Sequence, residues 1–184
     1  MSTKLKKTNS TKIRTNLILI IGITLLLTGF GLKEHRRRVL SFRGDVSQTQ
    51  SVSNLPVRIE IPKTNTNLAI EPGSIVDGVW SISENGATHL ISSSSPGNNN
   101  NTVIYAHNKD DLFGPIRWLN IGDEIIVTDS DDKLFKYRIV ESVVTNPEAI
   151  DYVLSKDEET LTLYTCTGFA DTDRYIVVAK IVVD

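Results

Sequence analysis

The residues of this chain that could take part in catalysis are one cysteine, the histidines and one arginine. Cys166 is the only cysteine among 184 residues, so it cannot form an intramolecular disulfide. It follows the β-rich run LTLYT and precedes the turn-like TGFAD. Two interpretations stay open: a buried apolar thiol, or a nucleophile at the end of a strand, where catalytic groups are common.

His107 also stands at the end of a predicted strand. It follows TVIYA and begins the turn-like HNKDD. A reactive thiol needs a nearby base or cation, and an imidazole fits either role. His89, within ATHLISSS, is either a packed histidine or a minor part of the wall of a cleft shared with Cys166 and His107. His35 lies among basic residues and is expected to be solvated.

Arg174 opens the last predicted strand, eight residues after Cys166. If the intervening loop is a hairpin, the arginine returns close to the cysteine. Its fixed charge could then hold a substrate carbonyl or stabilise a tetrahedral oxyanion. The alternative is a surface arginine paired with Asp171 or Asp173.

Short strands must position these residues. Helical patterns are few: Asn146 and Pro147 predict a helix that ends near Leu154, and residues 111–119 predict another turn or two. The polar run 92–101 (SSSSPGNNNN) is predicted to be a surface loop. Strands this short and this numerous predict a mainly β domain, a closed or nearly closed barrel of about 130 residues. Alternation and β-branched content predict strands at 57–61, 102–106, 124–128, 135–139, 161–165 and 175–183.

The net charge of −2 divides unevenly along the chain. The first 54 residues have ten basic and two acidic side chains, a net charge of +8, and the rest have ten basic and twenty acidic ones, a net charge of −10. The uncharged residues 15–32 would span roughly 27 Å as a helix, the short end of a bilayer crossing. They predict an uncleaved membrane anchor, with a cleaved signal peptide or a buried core helix as alternatives. The predicted order is a basic tail 1–14, an anchor 15–32, a juxtamembrane segment and linker 33–54, and a domain 55–184.

Several motifs occur together in the predicted domain. TLYTC, ending at Cys166, with Arg174 opening the next strand, resembles the TLxTC…R signature of sortases. SPG at 95–97 and NTVIYAH ending at His107 resemble that family's strand before the catalytic histidine, although Ala106 stands where many members have glycine. LNIGD at 119–123 is similar to another strand start of the family.

The resemblance covers about residues 56–183 and implies an eight-stranded sortase-type β-barrel with short helices, preceded by one transmembrane helix. It implies a cysteine transpeptidase, in which Cys166 attacks an LPxTG-like sorting signal and forms a thioacyl enzyme. His107 would protonate the leaving amine and then act as base, and Arg174 would hold the substrate backbone and the oxyanion. Thr165 would shape the site beside the cysteine. Residues 146–160, which include Ile150 and Val153, are the candidate for one wall of the pocket that binds the sorting signal.

The resemblance also implies partners and a location. The partners would be the sorting-signal peptide of secreted proteins and an amine acceptor, such as a cell-wall precursor or a protein lysine. The protein would be single-pass in the cell membrane, with a cytoplasmic N-terminus and an extracellular domain. No cofactor is expected, and no spacing of acidic residues singles out a calcium site. Because the predicted domain has a net charge of −10, it is not expected to bind nucleic acid.

Two other functions stay open. A membrane-tethered cysteine protease would hydrolyse its acyl intermediate without transfer to an amine. A non-catalytic β-barrel binding module would form no covalent adduct and would keep its function without the thiol.

Overall fold

The computed structural model describes residues 16–29, 41–42, 54–76 and 79–183. The chain divides into two compact units, residues 1–36 and 37–184. The predictions for the basic tail 1–14, for His35 and for nearly all of the linker lie outside the described residues.

In the first unit, residues 16–29 form one α-helix. Its leucine and isoleucine side chains are exposed all around it, since consecutive residues from Leu17 to Ile21 are all accessible. The hydroxyl groups of Thr24 and Thr28 donate to the carbonyl oxygens four residues earlier, at 2.8 and 2.9 Å. These polar groups are therefore satisfied within the helix. In the described part of the chain, no helix combines the length and the hydropathy needed to cross a membrane.

The described residues of the second unit form ten strands and four short 3₁₀ helices. The strands are β1 (Pro56–Ile61), β2 (Thr66–Gly73), β3 (Ile75–Val76), β4 (Val79–Trp80), β5 (Ala87–Leu90), β6 (Asn101–Tyr105), β7 (Glu124–Asp129), β8 (Leu134–Thr145), β9 (Thr160–Thr167) and β10 (Asp173–Ile181). The 3₁₀ helices are Pro62–Thr64, Gly114–Trp118, Ile150–Tyr152 and Phe169–Asp171.

Eight of these strands close into a barrel in the order β1-β2-β5-β6-β9-β10-β8-β7. The pairs β2–β5 and β6–β9 are parallel, and the other neighbours are antiparallel. Strands β3 and β4 form a separate two-stranded sheet. The eight-stranded barrel implied by the resemblance is confirmed.

Alternate side chains of a strand point to opposite faces, and the barrel uses both faces of β6, β9 and β10. Leu161 and Leu163 belong to a hydrophobic cluster with members from all eight barrel strands, which places it inside the barrel. Tyr164 and Cys166 point the other way, into a second cluster on the outside. We call these the interior cluster and the outer cluster. The buried members of the outer cluster are Phe42, Trp80, Leu90, Val103, Tyr105, Val153, Tyr164, Cys166, Ile176 and Val178.

The six predicted strands are confirmed, and β8 runs six residues beyond its predicted end. Two barrel strands, β2 and β5, were not predicted. In β5 all four residues of ATHL are buried, including Thr88 and His89, so the strand shows no alternation of apolar and polar residues. Such a strand is visible only when the neighbouring strands that bury it are known.

The helix predicted from Asn146 to about Leu154 is wrong. The Asn146 side chain does accept a hydrogen bond from the Glu148 amide at 2.9 Å, as a helix cap would, but only Ile150–Tyr152 forms a 3₁₀ turn. The segment leaves the helical region at Ala149, whose ψ is 59°, so no continuous helix forms. The side-chain amide of Asn101 donates to the carbonyls of Tyr152 and Leu154 at 2.9 and 2.8 Å and holds the end of the segment against β6.

The polar run 92–101 connects β5 and β6 as predicted, but it is not simply a surface loop. Residues Ser93 to Ser95 are buried. The amides of Gly97 and Asn99 donate to the two carboxylate oxygens of buried Glu159, at 2.9 and 2.6 Å. A charged anchor 60 residues away in sequence therefore holds the loop against the start of β9.

Candidate active site

Strand register pairs Arg174 with Cys166 and brings His107, just beyond the end of β6, to the same end of these adjacent strands. Arg174 of β10 is the antiparallel partner of Cys166. Tyr105, the last residue of β6, is the parallel partner of Tyr164 of β9, and the Ala106 amide donates to the Tyr164 carbonyl at 3.4 Å. His107 lies one residue further on, just beyond the end of β6. Three positions that are distant in sequence thus form one row across adjacent strands.

Cys166 and Arg174 share a face of the barrel. Tyr164 and Ile176, two residues away on the same strands, lie in the outer cluster, and side chains alternate along a strand, so Cys166 and Arg174 project to the outer side. His107 follows β6 two residues after Tyr105, another member of the outer cluster. The sequence could suggest this only through the strand-end position of each residue.

The Cys166 thiol is buried, with 4% of the residue exposed. Burial raises its pKa to about 12, the Arg174 guanidinium opposes that shift, and the Asp171 carboxylate adds to it. The thiol is therefore neutral near pH 7 in this conformation. Cys166 is a buried thiol, as one interpretation of the sequence expected, but a buried cation lies opposite it.

Arg174 is not the surface arginine of the alternative interpretation, since only 1% of it is exposed. Its Nη1 donates to the main-chain carbonyls of Asp171 and Asp173 at 3.2 and 3.0 Å, not to their carboxylates. Nη2 donates to the carbonyl of Ser41 at 2.9 Å. The Nε–H group is buried and has no hydrogen-bond acceptor in the described part of the chain. The guanidinium therefore retains a donor for a further carbonyl.

His107 lies at the edge of the buried region, with 21% of its side chain exposed. Its main-chain carbonyl accepts hydrogen bonds from the amides of Lys109 and Phe113, at 2.9 and 3.1 Å, which hold the turn after β6. Its Nε2 lies 3.8 Å from a carboxylate oxygen of Glu84, a residue that sequence reasoning missed. Glu84 is largely exposed, so its interaction with the imidazole is weak.

Thr165 links the two strands beneath the candidate row. Its hydroxyl donates to the Ala106 carbonyl at 2.8 Å, between the residues that precede Cys166 and His107. Thr165 is fully buried and has the parity of the interior residue Leu163. The bond fixes the relative positions of β6 and β9, and a direct contact of Thr165 with substrate stays a prediction.

Ser41 and Phe42 lie against Arg174, and sequence reasoning missed them. Both are buried, although they belong to the polar segment 33–54. The Phe42 ring packs against Trp80 and Tyr164, with centroid distances of 5.8 and 5.0 Å, and lies 5.8 Å from the Arg174 guanidinium carbon. The only signal in the sequence is an aromatic residue within a polar stretch.

The other predicted substrate-binding residues lie in two different surroundings. Val153 is buried in the outer cluster together with Cys166, and Ile150 packs against that cluster. His89 is buried in β5, where its Nε2 lies 2.9 Å from the Ser94 carbonyl oxygen, and burial lowers its pKa to about 4. His89 is thus a packed, neutral histidine, whereas Val153 belongs to the outer cluster and Ile150 packs against it.

No metal centre accompanies this arrangement among the residues described: no group of three or more His, Cys, Asp or Glu side chains is placed to hold an ion there. The available groups are a thiol, an imidazole and a guanidinium. A thiol can attack a carbonyl, an imidazole can move protons, and a guanidinium can bind the resulting oxyanion, so the site suits acyl transfer.

Comparison with known proteins agrees with this chemistry. The sortase domain family model matches residues 59–182, and the chain therefore belongs to the sortase family. Sortase A of Listeria monocytogenes is 26% identical over 126 residues, which are 67% of this chain and 54% of that protein. The chain thus spans about half the length of this curated relative.

Solved structures show the same fold. A Sortase D5 transpeptidase from Clostridium perfringens is 33% identical, with a TM-score of 0.60 over 74% of this chain and 83% of that one. A lid mutant of sortase A from Corynebacterium diphtheriae is 27% identical, with a TM-score of 0.61 over 72% and 74% of the two chains. Both similarities extend over most of the barrel unit.

Proposed function

We propose that this protein is a cysteine transpeptidase that cleaves an LPxTG-like sorting signal and transfers the acyl fragment to an amine on the cell surface. The observation that carries the proposal is the pairing of Cys166 with Arg174, with His107 just beyond the end of the adjacent strand β6. Membership of the sortase family supports the same reaction class.

The first half-reaction forms a thioester. The Cys166 thiol gives its proton to His107, and the thiolate attacks the carbonyl carbon of the scissile peptide bond. Arg174, through its unpaired Nε–H, stabilises the charge that develops on the carbonyl oxygen. The imidazolium of His107 then protonates the leaving nitrogen as the C–N bond breaks.

The second half-reaction releases the acyl group. An incoming amine loses a proton to His107 and attacks the thioester carbonyl, and the C–S bond breaks. The new bond is an amide, and Cys166 returns to the thiol form. Hydrolysis by water would follow the same course, so transfer to an amine is the property that separates this function from that of a protease.

The outer cluster supplies the binding surface in this proposal. Ile150 and Val153 would contact the apolar part of the sorting signal, because both lie in or against the cluster that contains Cys166. Ser41 would have to leave Arg174 before a substrate carbonyl could take its place on Nη2. Substrate binding and displacement of Ser41 and Phe42 are therefore coupled in this scheme.

One experiment tests the reaction. The full chain in detergent micelles is incubated with a library of sorting-signal peptides and triglycine, and mass spectrometry follows peptide cleavage, the adduct on Cys166 and the amide product. We expect all three in the wild type, none in Cys166→Ala, and wild-type yields in Arg138→Gln, which alters an exposed arginine of β8. If no peptide is cut and no adduct forms, the proposal is wrong. Cleavage without transfer would favour the protease.

We propose, in addition, that residues 15–32 anchor the protein in the cell membrane, with residues 1–14 in the cytoplasm and 55–184 outside. The support is the apolar surface of helix 16–29 and its internally bonded threonine hydroxyl groups. In protoplasts of a bacterium that expresses the full chain, we expect it to stay with the membranes in alkaline carbonate. External protease should remove the barrel unit. Release by carbonate would contradict the anchor.

A further inference from the structure

The loop between β9 and β10, residues 168–172, lies directly beyond the Cys166–Arg174 pair. Thr167 and Asp173 are the last paired residues before it. Arg174 reaches back over the loop, and its Nη1 donates to the main-chain carbonyl of Asp171 at 3.2 Å. Asp171 is therefore held next to the guanidinium that faces the cysteine.

The carboxylate of Asp171 is not used by the fold. Its side chain is partly exposed and forms no hydrogen bond or ion pair with the described residues. Arg174 binds the main-chain oxygen of Asp171 instead of the carboxylate. A negative charge is thus available beside a buried thiol, although the same charge opposes formation of the thiolate.

The backbone holds this charge in place at a conformational cost. Ala170 has a φ angle of 54°, in the left-handed region that alanine rarely adopts, and Asp171 has a φ angle of 61° in the same region, which aspartate adopts more readily. Strained residues persist where the surrounding structure determines them, often at functional sites. A carboxylate that has no partner among the described residues and opposes formation of the thiolate is expected to serve a later step of the reaction.

We propose that Asp171 binds the cationic form of the incoming amine beside the thioester on Cys166. The inference rests on the proposed transpeptidase function and assigns a residue to its acceptor side. Primary amines are mostly protonated at neutral pH, and a nearby carboxylate raises their local concentration. Water gains nothing from this charge, so Asp171 favours transfer over hydrolysis.

The protons balance without a proton on Asp171. The bound ammonium gives one proton to His107, and the neutral amine attacks the acyl carbon. The C–S bond breaks, and the thiolate takes the second proton released from nitrogen. An ammonium ion, a thioester and an imidazole thus give an amide, a thiol and an imidazolium ion.

The test compares Asp171→Asn with Asp173→Asn in the full chain. Both remove one charge from the same region, and asparagine tolerates the left-handed conformation. With triglycine as acceptor, we expect the KM for the amine to rise about 3- to 10-fold in Asp171→Asn and to stay unchanged in Asp173→Asn. With hydroxylamine, which is uncharged at neutral pH, we expect neither variant to differ from the wild type.

A second measurement does not depend on transpeptidation. Cys166 is labelled with two methanethiosulfonate reagents of similar size and opposite charge, one with a trimethylammonium group and one with a sulfonate. We expect the ratio of cationic to anionic labelling rates to fall about 3- to 10-fold in Asp171→Asn but not in Asp173→Asn.

The outcomes separate the two proposals. If the wild type forms no thioacyl adduct, the proposed function fails and this inference fails with it. If the adduct forms normally while Asp171→Asn leaves the KM for triglycine unchanged, only the inference is overturned. An equal loss with triglycine and hydroxylamine would also overturn it, since it would point to a distorted loop and not to a lost charge.

Discussion

The interior and outer clusters lie back to back on the same three strands, yet their surroundings differ. Among the described residues, the interior cluster draws on all eight barrel strands, and its partly exposed apolar neighbours are Tyr175 and Ile181. The outer cluster has six partly exposed apolar neighbours in the same part of the chain and includes the thiol of Cys166, beside buried Arg174. Alternate residues of β9 therefore have different roles: those on the inner face stabilise the barrel, and those on the outer face surround the candidate catalytic residues.

The largest expected effect is the loss of transfer activity when the thiol of the outer face is removed. Replacement of Cys166 by alanine should lower thioacyl formation and transfer by about a thousand-fold or more, because it removes the nucleophile. The free energy of unfolding should change by only about 1 kcal/mol, since the barrel interior is untouched. Peptide transfer followed by mass spectrometry and urea unfolding measure the two quantities. A large loss of stability with retained transfer would reverse the roles of the clusters.

Arg174→Gln should reduce transfer about 100- to 1,000-fold, as expected when a donor to a developing oxyanion is lost. The pKa of Cys166 should also rise further, because Arg174 is the group that lowers it. Alkylation by iodoacetamide should therefore be slower at pH 8 and 9, where a smaller fraction of the thiol is ionised. The exposed Arg138→Gln variant is the control for both assays, and equal alkylation rates would show that Arg174 does not act on the thiol.

On the interior face, Leu163→Ala should reduce the free energy of unfolding by about 2–5 kcal/mol, because it opens a cavity in a fully buried position. Transfer per folded molecule should stay near the wild-type value. Urea unfolding measures the first and the peptide assay the second, with the exposed Val144→Ala variant as control, for which a change within about 0.5 kcal/mol is expected. A selective loss of activity would show that the two faces are not independent.

The smallest effect is expected at the cover of the outer cluster. Phe42→Ala should speed labelling of Cys166 by a neutral thiol reagent about 2- to 5-fold, because the ring helps to exclude water from the region near Arg174. The free energy of unfolding should fall by about 1–3 kcal/mol from lost aromatic contacts. Labelling at an unchanged or lower rate would mean that Phe42 does not limit access to the thiol.

Much of the fold could be predicted from local patterns. The strands with clear alternation, such as β1 and β8, were predicted because one face is buried and the other is exposed. Strand β5 was missed because its polar residues are buried. The helix after Asn146 was predicted from correct capping signals, but the backbone leaves the helical region at Ala149 and the Asn101 side chain holds the end of the segment. Local signals thus failed where distant residues supply the partners.

The amino-acid sequence by itself determined the candidate row, because Cys166, His107 and Arg174 each stand at the end of a recognisable strand within a recognisable motif. Only the tertiary structure decided what surrounds them. Ser41 on Arg174, Phe42 on Tyr164 and Asp171 beside the thiol depend on closure of the barrel and on a loop held in an unfavourable conformation. Strand patterns are local and readable one residue after another, whereas burial and electrostatic environment depend on residues up to 133 positions apart.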